Sequence, residues 1–195
     1  MSLMSPYELK MKLDLAEDRV QFVKEHFLPG AMQNVIVTDD GHMHFFDDKG
    51  NDIIKSVKSI GDYAFYNCTN LTSIVIPDSV LSIGNHAFSW CESLASISIP
   101  DSVESIGKLA FGWCSSLASI SIPDSVESIG KHVFGYCESL TSIVIPDSVK
   151  NIGYRAFYGC ASLKSIVFKD KTLEEVKSMD AYPWGVEDES VFTVL

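Results

Sequence analysis

The sequence predicts a repeat solenoid, and three observations carry that expectation. Residues 56–170 repeat at a fixed period of 23, counted out by Cys68, Cys91, Cys114, Cys137 and Cys160. The same interval separates Gly61, Gly84, Gly107, Gly130 and Gly153, and also Pro77, Pro100, Pro123 and Pro146. Each copy keeps one apolar set, which in the first is Val57, Ile60, Ala64, Phe65, Cys68, Leu71, Ile74 and Ile76. Self-similarity at this period means stacked units, none of which buries enough surface to offset the entropy of ordering its own backbone.

Composition narrows the function classes. Apolar residues make up 46% of the 195, too many for a disordered chain. A formal charge of -11 argues against nucleic acid and anionic membrane surfaces as partners, since both require clustered Lys and Arg. Residues 56–170 carry seven basic and ten acidic side chains, whereas 1–55 carry six and ten and 171–195 two and six, so the flanks are the acidic parts. No run approaches the roughly 18 apolar residues of a membrane span, and no basic-then-apolar leader opens the chain. Met1-Ser2-Leu3 ahead of Met4 reads as a cloning remnant before a natural start.

In chain order, residues 4–55 read as an N-terminal cap. Ser5 can cap a helix with Pro6 in its first turn and Glu8 closing a capping box. Leu9, Leu13, Ala16, Val20, Val23 and Phe27 then form one apolar stripe, which Pro29-Gly30 ends; the open end of the stack is the surface it would cover. Residues 34–38 and 42–46 flank Asp39-Asp40-Gly41 and predict a hairpin.

Inside each repeat, alternation predicts a short strand with Ile74 and Ile76 inward and Ser73 and Val75 outward. The recurrent glycine marks a position that disfavours a Cβ, read as a tight turn. The recurrent proline ends the strand. The last copy departs from the pattern at Asn151, Phe168 and Lys169, as an end copy should. Residues 171–195 read as a C-terminal cap: a short helix capped by Thr172, a turn at Tyr182-Pro183-Trp184-Gly185, and a closing strand over 190–195.

The unit Ile-Gly-x-x-Ala-Phe-x-x-Cys-x-x-Leu-x-Ser-Ile-x-Ile-Pro resembles the bacterial BspA-like, or Treponema-type, leucine-rich repeat across residues 56–170, with Val133 at the Ala position as the main internal departure. The resemblance implies a right-handed coil of five repeats with a parallel sheet on one face. It also implies protein or glycan binding and adhesion, often at a bacterial surface. It brings no catalytic residues.

Each candidate site has a plain structural alternative. The cysteines lack metal-ligand spacing and read as small buried thiols filling one core position, which fits a reducing compartment. Asp78, Asp101, Asp124 and Asp147 suggest either a calcium comb or turn residues, and the turn is the expectation after Pro. Trp90, Trp113 and Tyr136, with Tyr66 and Tyr158 one place earlier, read as a binding platform or as a packed ridge between coils. Ser73, Ser96, Ser98, Ser119, Ser121, Ser142 and Val144 lie on an outward strand face that suits a broad partner or none. His42 and His44 lack a third ligand, and the sequons at Asn67 and Asn70 lie within a repeat core. No phosphate loop, nucleophile elbow or dinucleotide motif is present. The chain therefore reads as a non-enzymatic recognition module without cofactor or metal, its partner a protein or glycan. The other reading is a scaffold with no dedicated ligand site. Variable outward positions would favour recognition and uniform ones scaffolding; within this chain variation concentrates at Asn67, Trp90, Trp113, Tyr136 and Gly159.

Overall fold

A computed structural model describes residues 58–195 and, in backbone only, the strands β1 (Asn34–Val37) and β2 (Met43–Phe46). Those two strands pair antiparallel, with Asn34 opposite Phe46 and Val37 opposite Met43, which is the expected hairpin. The expected helix at 5–27, the rest of the N-terminal cap and the His42 and His44 side chains lie outside the described residues.

The repeats stack into a solenoid with two parallel five-stranded sheets. One is built from the alternating segments: β5 (Ser96–Ser98), β7 (Ser119–Ser121), β9 (Ser142–Ile145), β11 (Ser165–Phe168) and the closing strand β12 (Phe192–Val194). Its register is the repeat period itself, with Ser96 opposite Ser119, Ser119 opposite Ser142 and Ser142 opposite Ser165. Val75 adds the first rung through a bridge to Ser98. Burial alternates as the pattern predicts, with Ile74, Ile97, Ile120, Ile143 and Ile166 inside.

The second sheet adds to the one-sheet expectation. It consists of two-residue strands: β3 (Ser59–Ile60), β4 (Ser82–Ile83), β6 (Ser105–Ile106), β8 (Ser128–Ile129) and β10 (Asn151–Ile152). The glycine after each Ile explains how such short segments pair. A Cβ on Gly84, Gly107, Gly130 or Gly153 would meet main-chain atoms of the preceding coil at 2.4 to 2.7 Å. None of the four has a positive φ. The turn expectation for these glycines is thus replaced by close approach: without a side chain the coils come near enough for Gly107 N–H to reach Ile83 O and Gly130 N–H to reach Ile106 O.

Between the strands, each coil runs through successive i-to-i+3 turns, such as Cys91 N–H to Phe88 O and Leu94 N–H to Cys91 O. The alternate amides point along the stack instead: those of His86, Phe88 and Trp90 donate to Lys108, Ala110 and Gly112. The core is a set of columns. Phe88, Phe111 and Phe134 are fully buried and stacked at 5.4 and 5.8 Å between ring centroids.

The C-terminal cap completes the pile. The helix Leu173–Ser178 has the full capping box, the Thr172 hydroxyl accepting from Glu175 N–H while the Glu175 carboxylate accepts from Thr172 N–H. Trp184 is fully buried against Phe168, Tyr182 and Phe192. Its carbonyl accepts from Phe157 N–H, the role that Ala156 O plays for Phe134 in the coil before. The cap thereby imitates a further coil.

Candidate functional site

The cysteines lie in one column inside the stack. Cys91, Cys114 and Cys137 are fully buried, Cys68 and Cys160 half-buried at its ends, and none is in a disulfide. The thiols of Cys91, Cys114, Cys137 and Cys160 each donate to a Phe carbonyl one coil back, Cys114 to Phe88 and Cys137 to Phe111 at 3.2 and 3.1 Å. Burial pushes the thiols of Cys114 and Cys160 up to about 12, and those of Cys91 and Cys137 also upward. Such thiols are neither nucleophiles nor metal ligands at neutral pH.

The Pro-Asp-Ser-Val segments are turns, as expected, closed by the main chain: Val103 N–H donates to Pro100 O at 3.0 Å and Val126 N–H to Pro123 O at 3.1 Å. The serine hydroxyls stitch one turn to the next, Ser102 to Val80 O and Ser125 to Val103 O. The aspartates remain exposed, with Asp124 and Asp147 facing Lys169 and Lys171. Among the described residues no three His, Cys, Asp or Glu side chains converge as metal ligands would.

On the strand face Ser73, Ser96, Ser98, Ser119, Ser121, Ser142 and Val144 are all exposed, and Val75 and Val144 are 45% and 40% accessible. The face is flat, small-residued and nearly uniform from coil to coil.

The aromatic series is different in kind. Trp90 and Trp113 stack with centroids 5.0 Å apart and planes 5° from parallel, and Tyr136 continues the stack at 5.1 Å and 16°. Tyr158 ends it edge-on at 5.4 Å and 88°. Both faces of Trp113 are therefore covered by neighbouring rings, and Trp113 and Tyr136 are half-buried. Trp113 offers no open aromatic face, whereas Trp90 has a stacked ring on one side only. Trp90, at the end of the stack, keeps 36% exposure.

All three rings stand on left-handed backbone, φ being 64° at Trp90, 59° at Trp113 and 60° at Tyr136. The end copies place Asn67 and Gly159 there, residues that tolerate the conformation. A bulky aromatic there costs on the order of 1–2 kcal/mol. Asn and Gly at the two ends were the sequence signal for this conformation. A second left-handed column, four residues earlier, holds Tyr63, His86, Leu109, His132 and Arg155. Two positive-φ positions per coil turn this side outward as a variable face, distinct from the uniform strand face.

Beside the stack lies a feature that pattern reading missed. Lys108 and Lys131 occupy one column, exposed, with Arg155 close by on the next coil. The Arg155 guanidinium packs over Tyr154 at 5.1 Å and Tyr158 at 4.8 Å. His86 and His132 sit half-buried among these cations; burial first, then the charge of Lys108 on His86 and of Arg155 on His132, holds both imidazoles below their ordinary range.

Comparison with known proteins agrees with this architecture. No curated protein matches the chain. Among solved structures, a Treponema pallidum leucine-rich repeat protein is 31% identical, covers 83% of this chain and 82% of its own length, and superposes with a TM-score of 0.58. A Bacteroides ovatus leucine-rich repeat protein is 29% identical over 74% of this chain, with a TM-score of 0.52, and this chain spans about half (49%) of it. The pneumococcal vaccine antigen PcpA, 20% identical over 88% of this chain and 36% of its own, shares the fold with a TM-score of 0.56. The model of the BspA type leucine rich repeat region matches residues 55–179 in six copies, one more than the five that the cysteines count. The chain belongs to the BspA-type leucine-rich repeat family.

Proposed function

We propose that this chain is a non-enzymatic recognition module that binds a protein partner on the turn face carrying Trp90, Trp113 and Tyr136. The observation that carries the reading is the left-handed backbone under aromatic residues on three successive coils. Strain of that kind is retained where the side chain it displays is used. Trp, Tyr and Arg gathered on one variable face match the composition of protein-binding hot spots. The covered faces of Trp113 favour insertion into a partner's apolar groove over stacking against a sugar. The strand face, uniform along the stack, serves as scaffold.

Panning a random-peptide display library against the purified protein tests the reading. Enriched peptides are expected to lose affinity for Trp90→Ala and for Trp90→Ala/Trp113→Ala, both checked for retained fold by circular dichroism. Peptides held equally well by the folded variants would reject it. So would capture confined to a glycan array.

A further inference from the structure

We infer that the turn face takes an acidic protein segment, whose carboxylates are held by Lys108, Lys131 and Arg155 beside the aromatic stack. The inference rests on the recognition reading above and specifies its partner. Among the described residues, Lys150, Lys169, Lys171 and Lys177 each face a carboxylate within 4 Å, namely Glu127, Asp124, Asp147 and Glu189. Among the described residues Lys58, Lys108, Lys131, Arg155 and Lys164 face none, and of these Lys108, Lys131 and Arg155 lie together on adjacent coils of the turn face. The nearest acid in the column, Asp62, is already engaged one coil away: its carboxylate accepts from the main-chain and side-chain amides of Asn85. Asn85 Oδ1 in turn accepts from the Lys108 main-chain N–H at 2.9 Å, so this chain of contacts does not involve the Lys108 ammonium.

Three cations on adjacent coils are thus displayed with no carboxylate partner among the described residues. The coils rise about 4.8 Å each, so the charges form a short row that an extended chain can follow. Arg155 is the best prepared of the three, because two tyrosine faces fix a planar fork suited to bidentate carboxylate. Overall negative charge does not forbid an acidic ligand: at physiological salt, fields are screened beyond about 8 Å, and the local cations dominate. An acidic segment with an apolar residue would engage row and rings together. A sulfated glycan would match the charges but find both faces of Trp113 covered.

The test uses a fluorescent peptide of alternating Glu and Ser with one central Leu, about ten residues and so long enough to span the row. Fluorescence anisotropy at about 0.15 M salt is expected to detect binding that weakens steeply as salt rises. The triple variant Lys108→Glu/Lys131→Glu/Arg155→Glu should lose at least about tenfold in affinity. Lys150→Glu/Lys164→Glu/Lys177→Glu changes net charge equally, away from the row, and should lose less than about threefold. No binding to the folded wild type, equal losses in both triple variants, or capture of a sulfated polysaccharide in preference to the peptide would overturn the inference. Display-selected peptides that need Trp90 but are neutral and indifferent to the three cations would sink this inference alone; peptides indifferent to Trp90 as well would sink the recognition reading with it.

Discussion

A Cβ built on Gly130 would lie 2.5 Å from the carbonyl carbon of Gly107, one coil earlier in the stack. The contact is backbone to backbone, so no side chain can move aside. Gly130→Ala is expected to force neighbouring coils apart and break the Gly130 N–H to Ile106 O bond, costing about 1–3 kcal/mol or more. Gly112→Ala is the contrast, since the atom a Cβ meets first there, at 2.8 Å, is the flexible end of Leu109. Urea unfolding of the two variants should show the larger loss at Gly130; equal losses would mean that stack spacing is not set by these glycines.

Trp113 and Trp90 should differ in stability. Replacing Trp113 by Ala removes two stacked partners, each pair worth about 0.5–1.5 kcal/mol beyond area burial. Replacing Trp90 removes one. Trp90→Asn, which installs the residue of the first copy and relieves left-handed strain, should be milder than Trp90→Ala. Denaturant midpoints are expected to fall in the order wild type, Trp90→Asn, Trp90→Ala, Trp113→Ala.

The buried thiols make stability fall in alkali. An unfolded cysteine loses its proton near pH 8.5, whereas burial holds Cys114 and Cys160 protonated to about 12. Between those values the unfolded state binds fewer protons than the folded one, so stability declines as pH rises, by about 1.4 kcal/mol per unit for each fully displaced thiol. Below pH 8 these groups add no slope. Urea midpoints measured from pH 7.5 to 10 should fall, and fall less in Cys114→Ala/Cys137→Ala. A thiol reagent should label Cys91, Cys114 and Cys137 only after unfolding.

Trp184→Ala should detach the C-terminal cap. The indole is fully buried and donates from Nε1 to Asp180 O at 2.8 Å, and its packing holds the Trp184 main-chain carbonyl where it accepts from Phe157 N–H. A loss of about 3–5 kcal/mol is expected, with hydrogen exchange rising first in the helix Leu173–Ser178 and in β12. Exchange that rises uniformly along the stack would indicate that the cap is not a separate layer.

The solenoid was legible because its cause is local and repeated. Cys at every twenty-third position and Ile alternating with Ser state which side chains must face inward, and those columns lie inside the stack. The closing strand and the helix capped by Thr172 were equally legible, since capping and alternation are short-range rules. The second sheet was not. A two-residue Ser-Ile strand has no periodicity to read, and it exists only because glycines on successive coils let the backbones touch. The ring stack was half legible: spacing placed Trp90, Trp113 and Tyr136 in one column, but nothing in it said that both faces of Trp113 would be covered.

By itself the amino-acid sequence determined the coil, its period and the inward set, because burial of apolar side chains depends on pattern alone. Only the tertiary structure decided what the outside presents. Whether Lys108 meets a carboxylate, whether Trp113 shows a face, and how near Gly130 lies to Gly107 depend on atoms brought together by stacking, a full coil apart in the chain. The column lining follows from one repeat; the surface follows from the relation between repeats.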